Sequence, residues 1–186
     1  GFVISYNPLP IVVITQTSGG SCFGDTVCLE ATAGFVSYEW FFNGASQGIG
    51  TNSICVTDAG CYQVLVTDAN GCQDTANVPF CFTYNPLPVV AITQTSGGSC
   101  FGDTVCLEAT AGFVSYEWFH NGNSQGSGQN ICVTDSGNWN VLVTDVNGCK
   151  DSSATSFILN YNPLPIVTIT QTSGGSCLGD TACLEA

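Results

Sequence analysis

The chain is 186 residues long and 44% apolar, with 22 glycines, 12 cysteines and only 8% charged residues. Fourteen carboxylates stand against one cation, Lys150, and one histidine, for a formal charge of −13. Such a surface repels phosphate backbones and anionic lipid, which argues against nucleic acid and membrane surfaces as partners, and no apolar run approaches the roughly 20 residues of a membrane helix.

The first five residues, "GFVIS", align with "PFCFT" before Tyr84 and "SFILN" before Tyr161. They read as the last-strand tail of a preceding repeat. "YNPLP" follows at Tyr6 and returns at Tyr84 and Tyr161, at spacings of 78 and 77 residues. Residues 6–44 match residues 84–122 at 36 of 39 positions, the exceptions being Ile11/Val89, Val13/Ala91 and Phe42/His120. The expected organisation is therefore a tail (1–5), a full repeat (6–83), a second full repeat (84–160) and the first third of another (161–186). The start carries neither an initiator Met nor a signal-peptide pattern, so a processed chain or a window on a longer array is expected.

Within one repeat the elements run as short strands between turn residues. The prolines of "NPLP" withhold backbone donors and favour an extended form, as a short, stiff linker. "VVITQT" alternates and ends at "SGG". "TVCLEATA" puts Val27, Leu29 and Ala31 on one face and Thr26, Cys28 and Glu30 on the other. "SYEWFF" ends in Asn43-Gly44, a strong hairpin signal. A loop through "GIGTNSI" leads to "SICVTD", then "YQVLVTD" with a tight turn at "ANG", and "NVPFCFT" closes the repeat. No 3.6-residue periodicity appears. Six or seven strands in fewer than 80 residues imply an all-β fold, a β-sandwich with Greek-key connections.

Cores of this size are marginal without staples, and the cysteines can supply them. Cys22, Cys28, Cys55 and Cys72 have counterparts at Cys100, Cys106, Cys132 and Cys149, whereas Asn138 and Ile158 replace Cys61 and Cys81. Two cysteines that vanish together are best read as partners, Cys61 with Cys81. Cys28 and Cys55 point away from the core in neighbouring strands, which suits a cross-strand bridge. That leaves Cys22 with Cys72, and the second repeat would copy these as Cys106–Cys132 and Cys100–Cys149. Each bridge contributes about 2–4 kcal/mol, and the density points to an oxidising, extracellular setting. One His and no CxxC argue against zinc.

Little else carries chemistry. His120 has Phe42 as its counterpart and reads as a surface substitution. "DANGCQD" at Asp68–Asp74 has a faint likeness to a calcium loop, but a hairpin turn is the simpler reading, and no other cofactor is implied. Thr15 and Thr17 read as an ordinary exposed strand face, and Tyr38, Trp40 and Tyr62 as core. Phe41 and Phe119 lie opposite Trp40 and Trp118 and are candidates for contacts between units or chains. The first repeat has no Lys for an isopeptide cross-link, which leaves hardening to disulfides.

The pattern "CFGDTVCLEATAG…YEWFFNG…ICVTDAGCYQVLVTDANGC" resembles the Ig-like, PKD-like repeats of very large secreted surface proteins of Bacteroidota, the gliding-type adhesins and cell-surface filaments of type IX secretion. Residues 22–26, 38–40 and 60–72 carry the motif in the first repeat. Residues 100–104 and 116–118 carry it in the second, where Trp139 replaces Tyr62. The resemblance implies tandem Ig-like sandwiches in a linear array, at the cell surface. It also implies O-glycosylation at Asp-(Ser/Thr)-aliphatic triplets, here Thr26, Thr75, Thr104 and Thr181; a bare turn at "GDT" is the competing reading.

These readings converge on a non-enzymatic shaft segment of an extracellular filament or adhesin stalk. Its partners would be further repeats and neighbouring copies. A seven-residue strand is roughly 23 Å long, so one bead would advance the shaft by some 35–40 Å. The alternatives are a glycan- or surface-binding adhesin module and a self-polymerising subunit completed by strand exchange.

Overall fold

The structure is a computed structural model that describes residue 3, residues 5–175 and residues 177–186. Gly1, Phe2 and Ile4 of the expected tail lie outside the described residues. All regular elements among the described residues are strands. They group into two compact units. The first contains Gly1–Val89, Gly112–Val114 and Val143–Asp151; the second contains Val90–Ala111, Ser115–Leu142 and Ser152–Ala186.

In the first repeat, β1 (Ile14–Ser18), β2 (Val27–Ala31) and β5 (Ser53–Val56) form a three-stranded sheet in the order β1-β2-β5. The second sheet runs β4 (Ala45–Gly50), β3 (Ser37–Phe42), β6 (Gly60–Thr67), β7 (Gln73–Thr75), with β8 (Phe80–Phe82) also pairing β6. Period-2 alternation decides the faces. Val27, Leu29 and Ala31 point inward from β2, and Trp40, Tyr62, Val64 and Val66 meet them from the other sheet, with Tyr38. Leu29, Val64 and Val66 are fully buried. This is a β-sandwich with one apolar layer between two antiparallel sheets.

The second repeat copies the plan. β9 (Ile92–Ser96), β10 (Val105–Ala109) and β13 (Asn130–Val133) form one sheet. β12 (Asn123–Ser127), β11 (Ser115–His120), β14 (Gly137–Thr144) and β15 (Lys150–Ser152) form the other, with β16 (Phe157–Leu159) on β14. Its buried residues include Val105, Leu107, Trp118, Trp139, Val141 and Val143. In the last segment β17 (Thr170–Ser173) pairs β18 (Cys183–Glu185) in the register and with the bulge seen between β1 and β2 and between β9 and β10. Leu184, the counterpart of Leu29, is 67% exposed, because that register supplies only the first sheet's half of a core.

Two elements differ from the sequence reading. Each full repeat has eight strands rather than six or seven. The segment after Asn43-Gly44 is a strand, β4, exposed at every residue. Asn43 and Gly44 have φ of 48° and 82°, a left-handed pair that turns the chain directly back on itself. "ASQGIG" thus pairs with β3 along an edge and buries nothing, which is why no apolar alternation announces it.

Candidate functional site: loop, strap and hairpin

Among the described residues no group of three or more His, Cys, Asp or Glu could hold a metal ion. The most constructed feature is instead a stapled loop in the first unit. "SGGSCFGDT" between β1 and β2 turns on Asp25, whose Oδ2 accepts the Cys22 N–H at 2.8 Å. Gly20 lies against that carboxylate, and a Cβ there would run into it. Gly20 and the Asp are therefore one structural device, while Gly19, with a φ of 129°, lies against the backbone of Thr26 and Val27. The loop from Ser99 to Asp103 repeats it, with the Cys100 N–H on Asp103 Oδ2 at 2.9 Å, and Cys177 and Asp180 do so a third time.

The second and third "YNPLP" segments are not free linkers, whereas Tyr6 of the first is 85% exposed. Asn85 pairs in parallel with Cys22: its N–H donates to Ser21 O at 2.7 Å, and its carbonyl accepts the Phe23 N–H at 2.9 Å. The Tyr84 hydroxyl donates to the Asp25 carbonyl. In the second unit the strap docks alike, with Asn162 on Ser99 and Phe101 and the Tyr161 hydroxyl on the Asp103 carbonyl at 2.7 Å. Burial, then the nearby Asp25 and Asp58, push the Tyr84 hydroxyl above its ordinary pKa; burial, Asp103 and Asp135 do the same for Tyr161. Both hydroxyls stay protonated donors at physiological pH.

The third part is the hairpin turn of Asp145–Cys149. Asp145 Oδ1 accepts the N–H groups of Asn147 and Cys149 at 2.9 and 2.8 Å. Asp68 holds Asn70 and Cys72 identically. Burial raises the Asp68 pKa, but the donors from Cys72, Asn70 and Gly71 outweigh it and hold the carboxyl below its usual value. The carboxylate that invited a calcium reading is thus engaged by its own turn.

Cys149 reaches the loop: its sulfur is bonded to Cys22, at a Cα–Cα distance of 5.5 Å and a sequence separation of 127 residues. This corrects the pairings Cys22–Cys72 and Cys100–Cys149. The loop cysteine of the first repeat takes the hairpin cysteine of the second, while Cys72 and Cys100 are unbonded, as are Cys177 and Cys183. The physical reason is placement: the 143–151 hairpin packs as part of the first unit, beside the loop. The remaining bonds are cross-strand: Cys28–Cys55, Cys61–Cys81 and Cys106–Cys132, each with Cα atoms 4.0 Å apart and each joining residues directly opposite or on paired strands. Four disulfides in so short a chain fit an extracellular protein.

The other expected residues are placed as follows. Thr26, Thr104 and Thr181 are exposed, and Thr75 is half-buried in β7. Phe41 and Phe119 are half-buried rather than open, Phe119 lining a shallow groove with Leu142 and Ala154. Among the described residues the freely exposed phenylalanines are Phe23 and Phe101, both 69% exposed, each next to a loop cysteine. Sequence reasoning passed over them and over the tyrosines of the straps, although the threefold "YNPLP" was the signal for the latter. His120, read as a surface substitution, is half-buried and held in place: it stacks on Trp139 at 4.5 Å, with Nε2 3.0 Å from the Ser136 carbonyl.

No protein family matches the chain, and no curated protein does. Among solved structures, the full ectodomain of mouse nectin-like molecule 4 (Ig1–Ig3) is 12% identical with a TM-score of 0.36, covering 84% of this chain and 66% of that one. Murine CEACAM1b is 14% identical with a TM-score of 0.38, covering 82% and 100%. A 1.5-MDa bacterial ice-binding adhesin studied for host cell surface retention is 16% identical with a TM-score of 0.36, covering 91% and 71%. The chain thus spans just under two thirds of the first. The sandwich assignment rests on the sheets and core of this chain itself.

Proposed function

We propose that the chain is a segment of an extracellular shaft, a filament or adhesin stalk at a bacterial cell surface, built from tandem Ig-like sandwiches. The observation that carries this reading is the repeated docking of strap on loop: Tyr84 and Asn85 on Asp25 and Cys22, then Tyr161 and Asn162 on Asp103 and Cys100. A module whose exit segment is fixed to its own loop passes the chain on in a set direction, which is what a spacer needs and a catalyst does not. Disulfides and small cores supply the resistance, and the work is mechanical. Exposed Thr26, Thr104 and Thr181 are the sites where a sugar coat would attach, and the half-buried Phe41 and Phe119 offer contact surface to neighbouring copies.

The test is electron microscopy of the native material together with a glycan array of the purified chain. Filaments with an axial repeat near one sandwich length and no glycan binding support the shaft. Reproducible micromolar binding to a defined glycan by non-filamentous protein replaces it with an adhesin module.

A further inference from the structure

Besides Cys177, a further loop cysteine, and Cys183 in the last segment, four cysteines of two kinds are left once the cross-strand bridges are set aside: the loop cysteines Cys22 and Cys100, and the hairpin cysteines Cys72 and Cys149. One loop and one hairpin are joined, Cys22 with Cys149. The other two, Cys72 and Cys100, carry no bond, yet their surroundings are built in the same way. The Cys100 N–H rests on Asp103 as that of Cys22 rests on Asp25, and Asn162 bridges to Cys100 as Asn85 bridges to Cys22. The Cys72 N–H rests on Asp68 as that of Cys149 rests on Asp145, at 2.8 Å in both. The joined pair also fixes an order: the loop belongs to the earlier repeat and the hairpin to the later one.

We propose that Cys72 and Cys100 are the two open ends of this same staple. Each is a binding position for another repeat of this sequence: Cys72 takes the loop cysteine of one such repeat, and Cys100 takes the hairpin cysteine of another. A staple that always runs from loop to later hairpin leaves one of each kind over in any stretch of two full repeats; here these are Cys72 and Cys100, and Cys177, the loop cysteine of the segment that follows, is unbonded as well. The chemistry balances with a thiol oxidant of the small-molecule disulfide class. Two thiols lose two protons and two electrons as the S–S bond forms, and the oxidant is reduced to two thiols. An array joined in this way is covalently continuous through its disulfides as well as through its backbone. The inference rests on the tandem-repeat reading and is independent of whether the array serves as a shaft.

The experiment takes the purified 186-residue chain with Cys22–Cys149 closed and exposes it to oxidised glutathione at rising protein concentration. Products are read by non-reducing electrophoresis and peptide mapping. The expected result is a ladder of linked copies, in which the "DANGC" peptide of Cys72 carries a loop peptide "SGGSC". Cys72→Ser abolishes the ladder, the double variant Cys100→Ser, Cys177→Ser abolishes it too, and Cys183→Ser leaves it intact. The same map of protein isolated from its source distinguishes the origin of the partner repeat. A link to a second molecule separates on reduction, whereas a link within one longer polypeptide leaves a single chain; either supports the proposal. Cys72 recovered as a free thiol from both materials overturns it. So do bonds of like with like, Cys72–Cys72 or Cys100–Cys100, and a map that returns Cys22–Cys72 with Cys100–Cys149.

Discussion

The β6–β8 edge of the first repeat and the β14–β16 edge of the second occupy the same place in the same fold and are held differently. In the first, Cys61 and Cys81 face each other across the ladder and are bonded. In the second, Asn138 and Ile158 stand in that register, and Ile158 is 62% exposed. Beneath the staple, the first repeat runs an aromatic row, Phe42–Tyr62–Phe82–Tyr84, with ring centroids 4.9, 5.9 and 5.3 Å apart. The second replaces it with His120 on Trp139 and with Leu159. The polar handle is kept all the same: the Tyr62 hydroxyl donates to the Asp58 carbonyl at 2.8 Å, and Trp139 Nε1 to the Asp135 carbonyl at 3.2 Å. The edge tolerates repacking as long as that donor and the β-ladder survive, and the outward disulfide is an addition to a fold already specified.

The comparison makes the shared core the costliest place to cut. Trp40→Ala and Trp118→Ala each remove a buried indole and its hydrogen bond to the Thr51 or Gly128 carbonyl, at about 3–5 kcal/mol apiece. Denaturant midpoints should fall by similar amounts for the two. A much smaller loss in the second repeat would show that its core is not equivalent. Next come the staples. Cys61→Ser with Cys81→Ser should cost about 2–4 kcal/mol, and Asn138→Cys with Ile158→Cys should recover a comparable gain in the second repeat. If the grafted pair fails to close under oxidation, the two edges differ in backbone and not merely in side chain. The staggered staple has its own readout: Cys22→Ser should release Cys149 for alkylation, while Cys100→Ser should not. The reverse pattern would restore bonds confined to single repeats.

That stagger could not have been read from the sequence, for a definite reason. Both full repeats have a loop cysteine and a hairpin cysteine, so pairing within a repeat and pairing to the next leave the same pattern of presence and absence. Cys61 and Cys81 were legible because they disappear together. The inward faces of β2 and β6 were legible from alternation, and the Asn43-Gly44 turn from its residues. β4 and β12 were not, since an exposed edge strand of Gly, Ser and Gln has no apolar period. His120 read as a surface residue because the exchanges of Phe42 for His120 and of Tyr62 for Trp139, each visible alone, do not show in the sequence that the two new rings stack on one another.

The smallest effect tests the straps, where the two repeats agree instead of differing. Tyr84 and Tyr161 each donate one hydroxyl hydrogen bond, so Tyr84→Phe or Tyr161→Phe should cost about 1 kcal/mol. Burial first, then the flanking aspartates, raise both hydroxyls above the ordinary value of 10.0. The folded state therefore holds these protons more tightly than the unfolded one. Their contribution is fully present below the unfolded pKa, near 10, and is lost as pH rises through the higher folded value. With the free thiols alkylated beforehand to prevent exchange, the denaturant midpoint should be flat from neutral pH and decline as the solution passes about pH 10. The double variant Tyr84→Phe, Tyr161→Phe should start lower and lose most of that decline, with Tyr62, also raised by burial, supplying what persists. An unchanged alkaline slope in the double variant would mean that the straps do not hold their loops through these hydroxyls, and that the parallel pairing of Asn85 and Asn162 alone fixes where each module hands on the chain.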